Sequence, residues 1–207
     1  MTGEPRTPRF QPSRGASQRM EHMDKSAAVD IKRASKNGKT AKGDLATPTD
    51  LSDKDTKAVA GAINKLVADA YALYIKTKNF HWHISGPNFR DYHLMLDEHA
   101  DQIFATIDPL AERVRKLGQR TIHSLSEIVA LTSIEENNDS FVPAERMIEE
   151  LIADNRAMAK AMREAHGVCD DADDVATASL LEVYIDETER RIWFLFESSR
   201  PAGPHGQ

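Results

Sequence analysis

Between Thr77 and Arg113 the chain places five potential metal ligands, His81, His93, Asp97, Asp108 and Glu112, at spacings that suit one side of a helix and its approach. His93 and Asp97 stand four residues apart, as do Asp108 and Glu112, so each pair can point two donor groups at one ion from adjacent turns. At about 100° per residue, His93, Asp97, Asp101, Phe104, Asp108 and Glu112 fall on a single stripe, which is expected to face the core. Carboxylates buried without partners are costly and call for a metal or another cation. The plain alternative is a solvated acidic face, which the interleaved Phe104 and Ala105 disfavour.

Distance then limits the architecture. At about 1.5 Å of rise per residue, Asp97 and Glu112 lie roughly 22 Å apart along a straight helix, beyond the reach of any single ion. Two copies packed antiparallel across a two-fold axis bring the first pair of one against the second pair of the other, making two identical sites. The sequence therefore implies a dimer. Pro109 removes one backbone donor from this helix and can kink it at the carbonyl of Ala105, which bears on the aim of Asp108 and Glu112.

The runs Phe80-His81-Trp82-His83-Ile84-Ser85-Gly86-Pro87-Asn88-Phe89, His93-Leu94-Met95-Leu96-Asp97 and Asp108-Pro109-Leu110-Ala111-Glu112-Arg113 closely resemble the Dps mini-ferritins, the DNA-binding proteins from starved cells. The likeness is specific over these runs and looser over residues 51–199. It implies that His81, His93, Asp97, Asp108 and Glu112 form a ferroxidase centre for iron, with two sites per dimer built from both subunits. It further implies a cage of twelve subunits that stores ferric mineral, with hydrogen peroxide, rather than dioxygen, as the preferred oxidant. Imidazole and carboxylate donors with open positions suit Fe(II), and anionic oxygen donors favour Fe(III) once it forms. Trp82 is similar to the family's tryptophan beside the metal centre, whereas His83 matches no family role.

The expected fold is all-α, a ferritin-like four-helix bundle with a short extra helix in the central connection. A first helix starts at Ser52, capped with Asp55, and runs to about His83 on a stripe of Val59, Ile63, Leu66, Val67, Ala70, Leu73, Tyr74 and Thr77. Gly86-Pro87 breaks the chain, Asn88 caps the second helix, and Gly118 stops it. Leu125 to Leu131 makes the short helix, at a position resembling the family's dimer contact. A third helix follows Pro143 and ends at Gly167, with Met147, Ile148, Leu151, Ile152, Asn155, Met158 and Met162 inside. A fourth runs from about Asp174 to Ser199 on Leu181, Tyr184, Ile185, Thr188, Ile192 and Leu195. Trp193 and Phe196 open a second apolar stripe, either subunit contact or ordinary core. The acidic run Asp170, Asp171, Asp173 and Asp174 caps the fourth helix, or else rims a pore in a cage.

Residues 1–50 form a tail expected to be disordered, residues 51–200 the bundle, and residues 201–207 a flexible C-terminus. The net charge of −6 hides an asymmetry, since residues 1–46 hold ten Lys plus Arg against five Asp plus Glu. A basic arm on an acidic body suits the phosphate backbone of DNA, with Lys32, Arg33, Lys36, Lys39 and Lys42 as its densest cluster; the alternative is a solubilising tail. The apolar runs are shorter than a membrane-spanning segment and no signal peptide is evident, so no membrane partner is expected. The single cysteine, Cys169, excludes an internal disulfide and agrees with a cytoplasmic protein, nucleoid-associated if DNA is bound.

Two rivals follow from the same residues. Larger di-iron proteins use Glu-x-x-His on two helices of one bundle, and here no histidine has a glutamate three residues before it. The other is a nucleoid-compacting DNA-binding protein with a vestigial metal site, against which the five intact ligand positions argue.

Overall fold

Ser52 begins the ordered helices: its Oγ accepts from the Asp55 amide at 3.2 Å, satisfying one of the donors left free in a first turn. In the computed structural model, which describes residues 45–200, helix α1 runs from there over Asp53–His83. It is followed by α2 (Phe89–Lys116), α3 (Leu125–Leu131), α4 (Ala144–Asp171) and α5 (Val175–Ser199), with no strand among the described residues. The basic cluster from Lys32 to Lys42 and residues 201–207 lie outside the described residues.

α1 and α2 form one antiparallel hairpin, α4 and α5 another, and α1 packs on both α4 and α3. The core is apolar at helical spacing: Ile63, Leu66, Leu73 and Phe80 from α1 meet Leu96, Ile103 and Leu110 from α2 and Ile148, Leu151 and Met162 from α4. Each such side chain contributes about 1.5–3 kcal/mol by leaving water. By length and apolar composition, α1 alone among the described helices passes as long and apolar enough to span a membrane, against the expectation from run lengths; half of that stretch is buried in the bundle.

Polar anchors fix the long central connection. Asp69 is 1% exposed and accepts from the Thr132 hydroxyl at 3.0 Å and from the Ser133 amide and hydroxyl, tying the end of α3 to the middle of α1. Lys76, 7% exposed, sits 3.2 Å from Glu150 and 2.8 Å from Asp154, which ties α1 to α4.

Three sequence expectations need correction. α4 continues past Gly167 to Asp171, because the extra turn carries Cys169 fully into the core. Asn88 stands at the N-cap of α2 but makes no side-chain capping bond; its carbonyl instead accepts from the Tyr92 amide at 3.0 Å. The ligand stripe of α2 is not its buried face. The core takes the neighbouring stripe of Leu96, Ala100, Ile103, Ile107, Leu110 and Val114, leaving Asp101, Phe104, Asp108 and Glu112 exposed. Apolar packing alone selected between the two stripes, since the acidic one offers the core only Phe104.

The C-terminal end of α2 is held from two sides. Gly118, at φ +74°, turns the chain, and a Cβ there would come within 2.9 Å of the Thr47 amide. Thr47 Oγ1 donates to the Arg115 carbonyl at 3.0 Å, and the Arg115 guanidinium donates to the Leu45 carbonyl at 3.1 Å. Arg113 donates to Asp174 at 2.9 Å and to Thr177 Oγ1 at 3.0 Å, while Asp174, 4% exposed, caps α5 by accepting from the Thr177 amide. For Asp174, the capping reading of the acidic run thus has a structural basis.

Candidate metal centre

The α1–α2 turn is short enough to bring the last turn of α1 against the first turns of α2. There His81 and His93 stack, ring centroids 3.8 Å apart and planes inclined by 22°. Each is tied to the other's backbone: His81 Nδ1 lies 2.8 Å from the His93 carbonyl, and His93 Nδ1 lies 2.9 Å from the His81 carbonyl. A carbonyl oxygen only accepts, so both Nδ1 atoms carry the hydrogen and both Nε2 atoms keep their lone pair in the neutral ring. A backbone carbonyl on Nδ1 fixes the tautomer and turns the ring so that a histidine can ligate a metal through Nε2.

Asp97, one turn beyond His93, completes the cluster with Oδ1 at 3.7 Å from His81 Nε2. Bonds of about 2.1 Å from one divalent ion to those two atoms enclose an angle of roughly 120°, an ordinary coordination angle. Lys78, three residues before His81 and on the same side of α1, donates from Nζ to the same Asp97 oxygen at 2.5 Å. That hydrogen bond, reinforced by the charge of Lys78, holds the Asp97 carboxyl below its ordinary value, and reciprocally raises the Lys78 ammonium. Lys78 is the member that sequence reasoning missed. Its only signal was its place one turn before His81.

The other two predicted ligands are elsewhere. Asp108 and Glu112 lie exposed toward the far end of α2, where Glu112 pairs with Lys116 at 3.2 Å. Among the described residues, no three His, Cys, Asp or Glu side chains of one chain converge closely enough to hold an ion. Pro109 does not fold the halves together; α2 runs unbroken through it. Trp82 is 63% exposed beside His81, and His83 Nδ1 is bound to the Asn79 carbonyl at 2.7 Å.

The surface that carries both halves is also apolar. Phe104, midway between them, is 53% exposed and packs on Tyr74 at 5.1 Å. Tyr74, Ile75, Leu125, Val129 and Phe141 line an adjoining groove of about 1010 Å³ between α1, α3 and the connection that follows.

The ferritin-like domain model matches residues 60–197. A DNA protection during starvation protein from Brevibacillus brevis is 35% identical over 137 residues, covering 66% of this chain and 91% of that protein. The chain belongs to the Dps family. A low temperature-induced protein of Nostoc sp., itself uncharacterised, is 32% identical over 159 residues, covering 75% of this chain and 89% of its own length. Among solved structures, a Dps protein from Vibrio cholerae O1, described as a member of a broad superfamily of ferritin-like diiron-carboxylate proteins, aligns with a TM-score of 0.70 at 28% identity, covering 75% of this chain and 98% of that one. Within this Dps chain, the sequence-predicted residues thus divide into His81 with its neighbours His93 and Asp97, a partial set of donors at the α1–α2 turn, and a separate pair, Asp108 and Glu112.

Proposed function

We propose that this Dps protein takes Fe(II) as substrate at centres shared by two copies, with His81, His93 and Asp97 from one and Asp108 and Glu112 from the other. The observation that carries this reading is the reciprocal tie of His81 and His93 to each other's carbonyls, which leaves both Nε2 lone pairs free, that of His81 3.7 Å from Asp97 Oδ1. Register supports the sharing. The pairs 93 with 112 and 97 with 108 have one common midpoint, between Gln102 and Ile103. A two-fold axis crossing α2 there superposes both halves at once, and the exposed Phe104 and the groove beside Tyr74 and Val129 supply the apolar area such a contact needs.

In each centre the imidazoles and Asp97 bind and orient iron, and the incoming carboxylates of Asp108 and Glu112 add the negative charge that favours Fe(III). With hydrogen peroxide as oxidant the reaction balances as two Fe(II), one peroxide and two protons giving two Fe(III) and two waters. Ferric product then mineralises inside a cage, which we take to have twelve subunits. The basic segment around Lys32, Arg33, Lys36, Lys39 and Lys42 is proposed to hold DNA by counterion release, placing the protein in the cytoplasm at the nucleoid.

The test is the double variant His93→Ala with Asp97→Ala. Neither side chain belongs to the apolar core, so the helices should persist by circular dichroism while rapid Fe(II) oxidation disappears. A wild-type rate in that variant would end the assignment.

A further inference from the structure

One atom at the site is claimed twice. Asp97 Oδ1 is the oxygen that faces His81 Nε2 at 3.7 Å, and it is also the oxygen that accepts from Lys78 Nζ at 2.5 Å. A divalent ion held between the imidazole and that oxygen would compete with the ammonium for the oxygen's lone pairs. Lys78 is not a loose surface lysine here, since its side chain is 17% exposed while that of Asp97 is 46% exposed. It stands on α1 one turn before His81, so both approach Asp97 from the same helix face.

We propose that Lys78 is a stand-in cation for the metal: it holds the Asp97 carboxylate turned toward the imidazoles before iron arrives, and Fe(II) enters by displacing the ammonium from Oδ1. Lys78 is therefore a positioning residue that sets the threshold of metal binding, an inference that rests on the reading of His81, His93 and Asp97 as ligands. The cluster stays intact without metal because the carboxylate keeps a partner. The same partner then opposes binding twice. Its contact with Asp97 must break, and its positive charge remains near an incoming dication.

Two roles for Lys78 predict opposite signs, which makes the test decisive. A purely structural lysine, needed only to aim Asp97, gives weaker metal binding when removed. A stand-in gives tighter binding. Lys78→Met keeps most of the aliphatic stem and removes the charge; Lys78→Arg keeps the charge. Zn(II) binding to the full-length assembled protein, followed by titration calorimetry with Asp97→Ala as reference, reads the affinity without any turnover. Expected are about tenfold tighter Zn(II) binding in Lys78→Met and no gain in Lys78→Arg. Equal or weaker binding in Lys78→Met, with the wild type binding and Asp97→Ala not, overturns the stand-in role while leaving the ligand assignment in place. If the wild type and Asp97→Ala bind Zn(II) alike, the ligand assignment itself fails. Should Lys78→Met not assemble, the crystal structure of wild-type protein soaked in Zn(II) decides instead: Lys78 still within hydrogen-bonding distance of Asp97 beside a bound ion overturns the proposal.

Discussion

Mixing two inactive proteins tests the shared centre most directly. In Asp97→Ala every centre of a homodimer loses a ligand from the histidine half, and in Glu112→Ala every centre loses one from the acidic half. The two halves lie about fifteen residues apart on one unbroken helix, roughly 22 Å at 1.5 Å per residue, so no motion within a chain repairs either loss. In a mixed dimer the damage separates. The Glu112→Ala copy supplies intact His81, His93 and Asp97, and the Asp97→Ala copy supplies intact Asp108 and Glu112, so one centre is complete and the other lacks two ligands. Random pairing makes about half of the dimers mixed, each with one working centre of two, and roughly a quarter of wild-type activity should return. The assay is initial Fe(II) oxidation followed by absorbance on coexpressed protein carrying two different affinity tags, purified through both. Each variant is measured alone under the same conditions. A doubly tagged heteromer that stays inactive while the wild type is active would refute the register argument, because the centre would then lie within one chain.

Three further outcomes follow from particular contacts. Deleting residues 1–44 should leave Fe(II) oxidation unchanged but weaken DNA binding and flatten its salt dependence; unchanged gel-shift affinity at equal salt would show that the segment only solubilises. Asp174→Ala strands Arg113 and uncaps α5, and should cost about 3–5 kcal/mol in urea unfolding at fixed protein concentration, whereas a loss below about 1 kcal/mol would mean that the pair contributes little. Burial, aided by the charges of Arg191 and Arg190, pushes His99 down from 6.5 to about 4, so the unfolded chain binds the extra proton between those values. Stability is then full above pH 6.5 and falls as pH drops toward 4, by about 3 kcal/mol, and an unfolding series in which His99→Asn loses as much over that window would contradict it.

The fold was legible because its signals are local and repeat. Ser52, Gly118 and Pro143 each mark a helix end by local chemistry alone, and the apolar spacing in α1 named the residues that form its core. Gly167 misled for the same reason: glycine often ends helices, but here the next turn is drawn on by burial of Cys169, a tertiary gain that the glycine does not record. The choice between two adjacent stripes on α2 was illegible in a different way. Leu96 and Asp97 are neighbours, so the core stripe and the ligand stripe differ by one residue step, and Phe104 lent the acidic stripe an apolar look. Arg191, fully inside on α5 with Nε bound to Asn155 and one guanidinium nitrogen bound to Thr188, would be assigned to the surface by residue type. Lys78 was hidden likewise, because its partner lies nineteen residues away on another helix.

In the proposed centre, chemistry and assembly share one face because the core takes the neighbouring stripe of α2. Had the ligand stripe been the buried one, a metal would have had to be enclosed by a single bundle, where no other chain could supply Asp108 or Glu112. Since Leu96, Ile103 and Leu110 already fill the core, the stripe one step away is left at the surface with Phe104 in its middle and the Tyr74 groove at its side. An exposed aromatic flanked by carboxylates is a poor surface for an isolated subunit and a good one for a symmetric contact, whose two acidic halves then meet histidines rather than each other. The lysines at each half, Lys78 on Asp97 and Lys116 on Glu112, compensate those carboxylates in the single subunit.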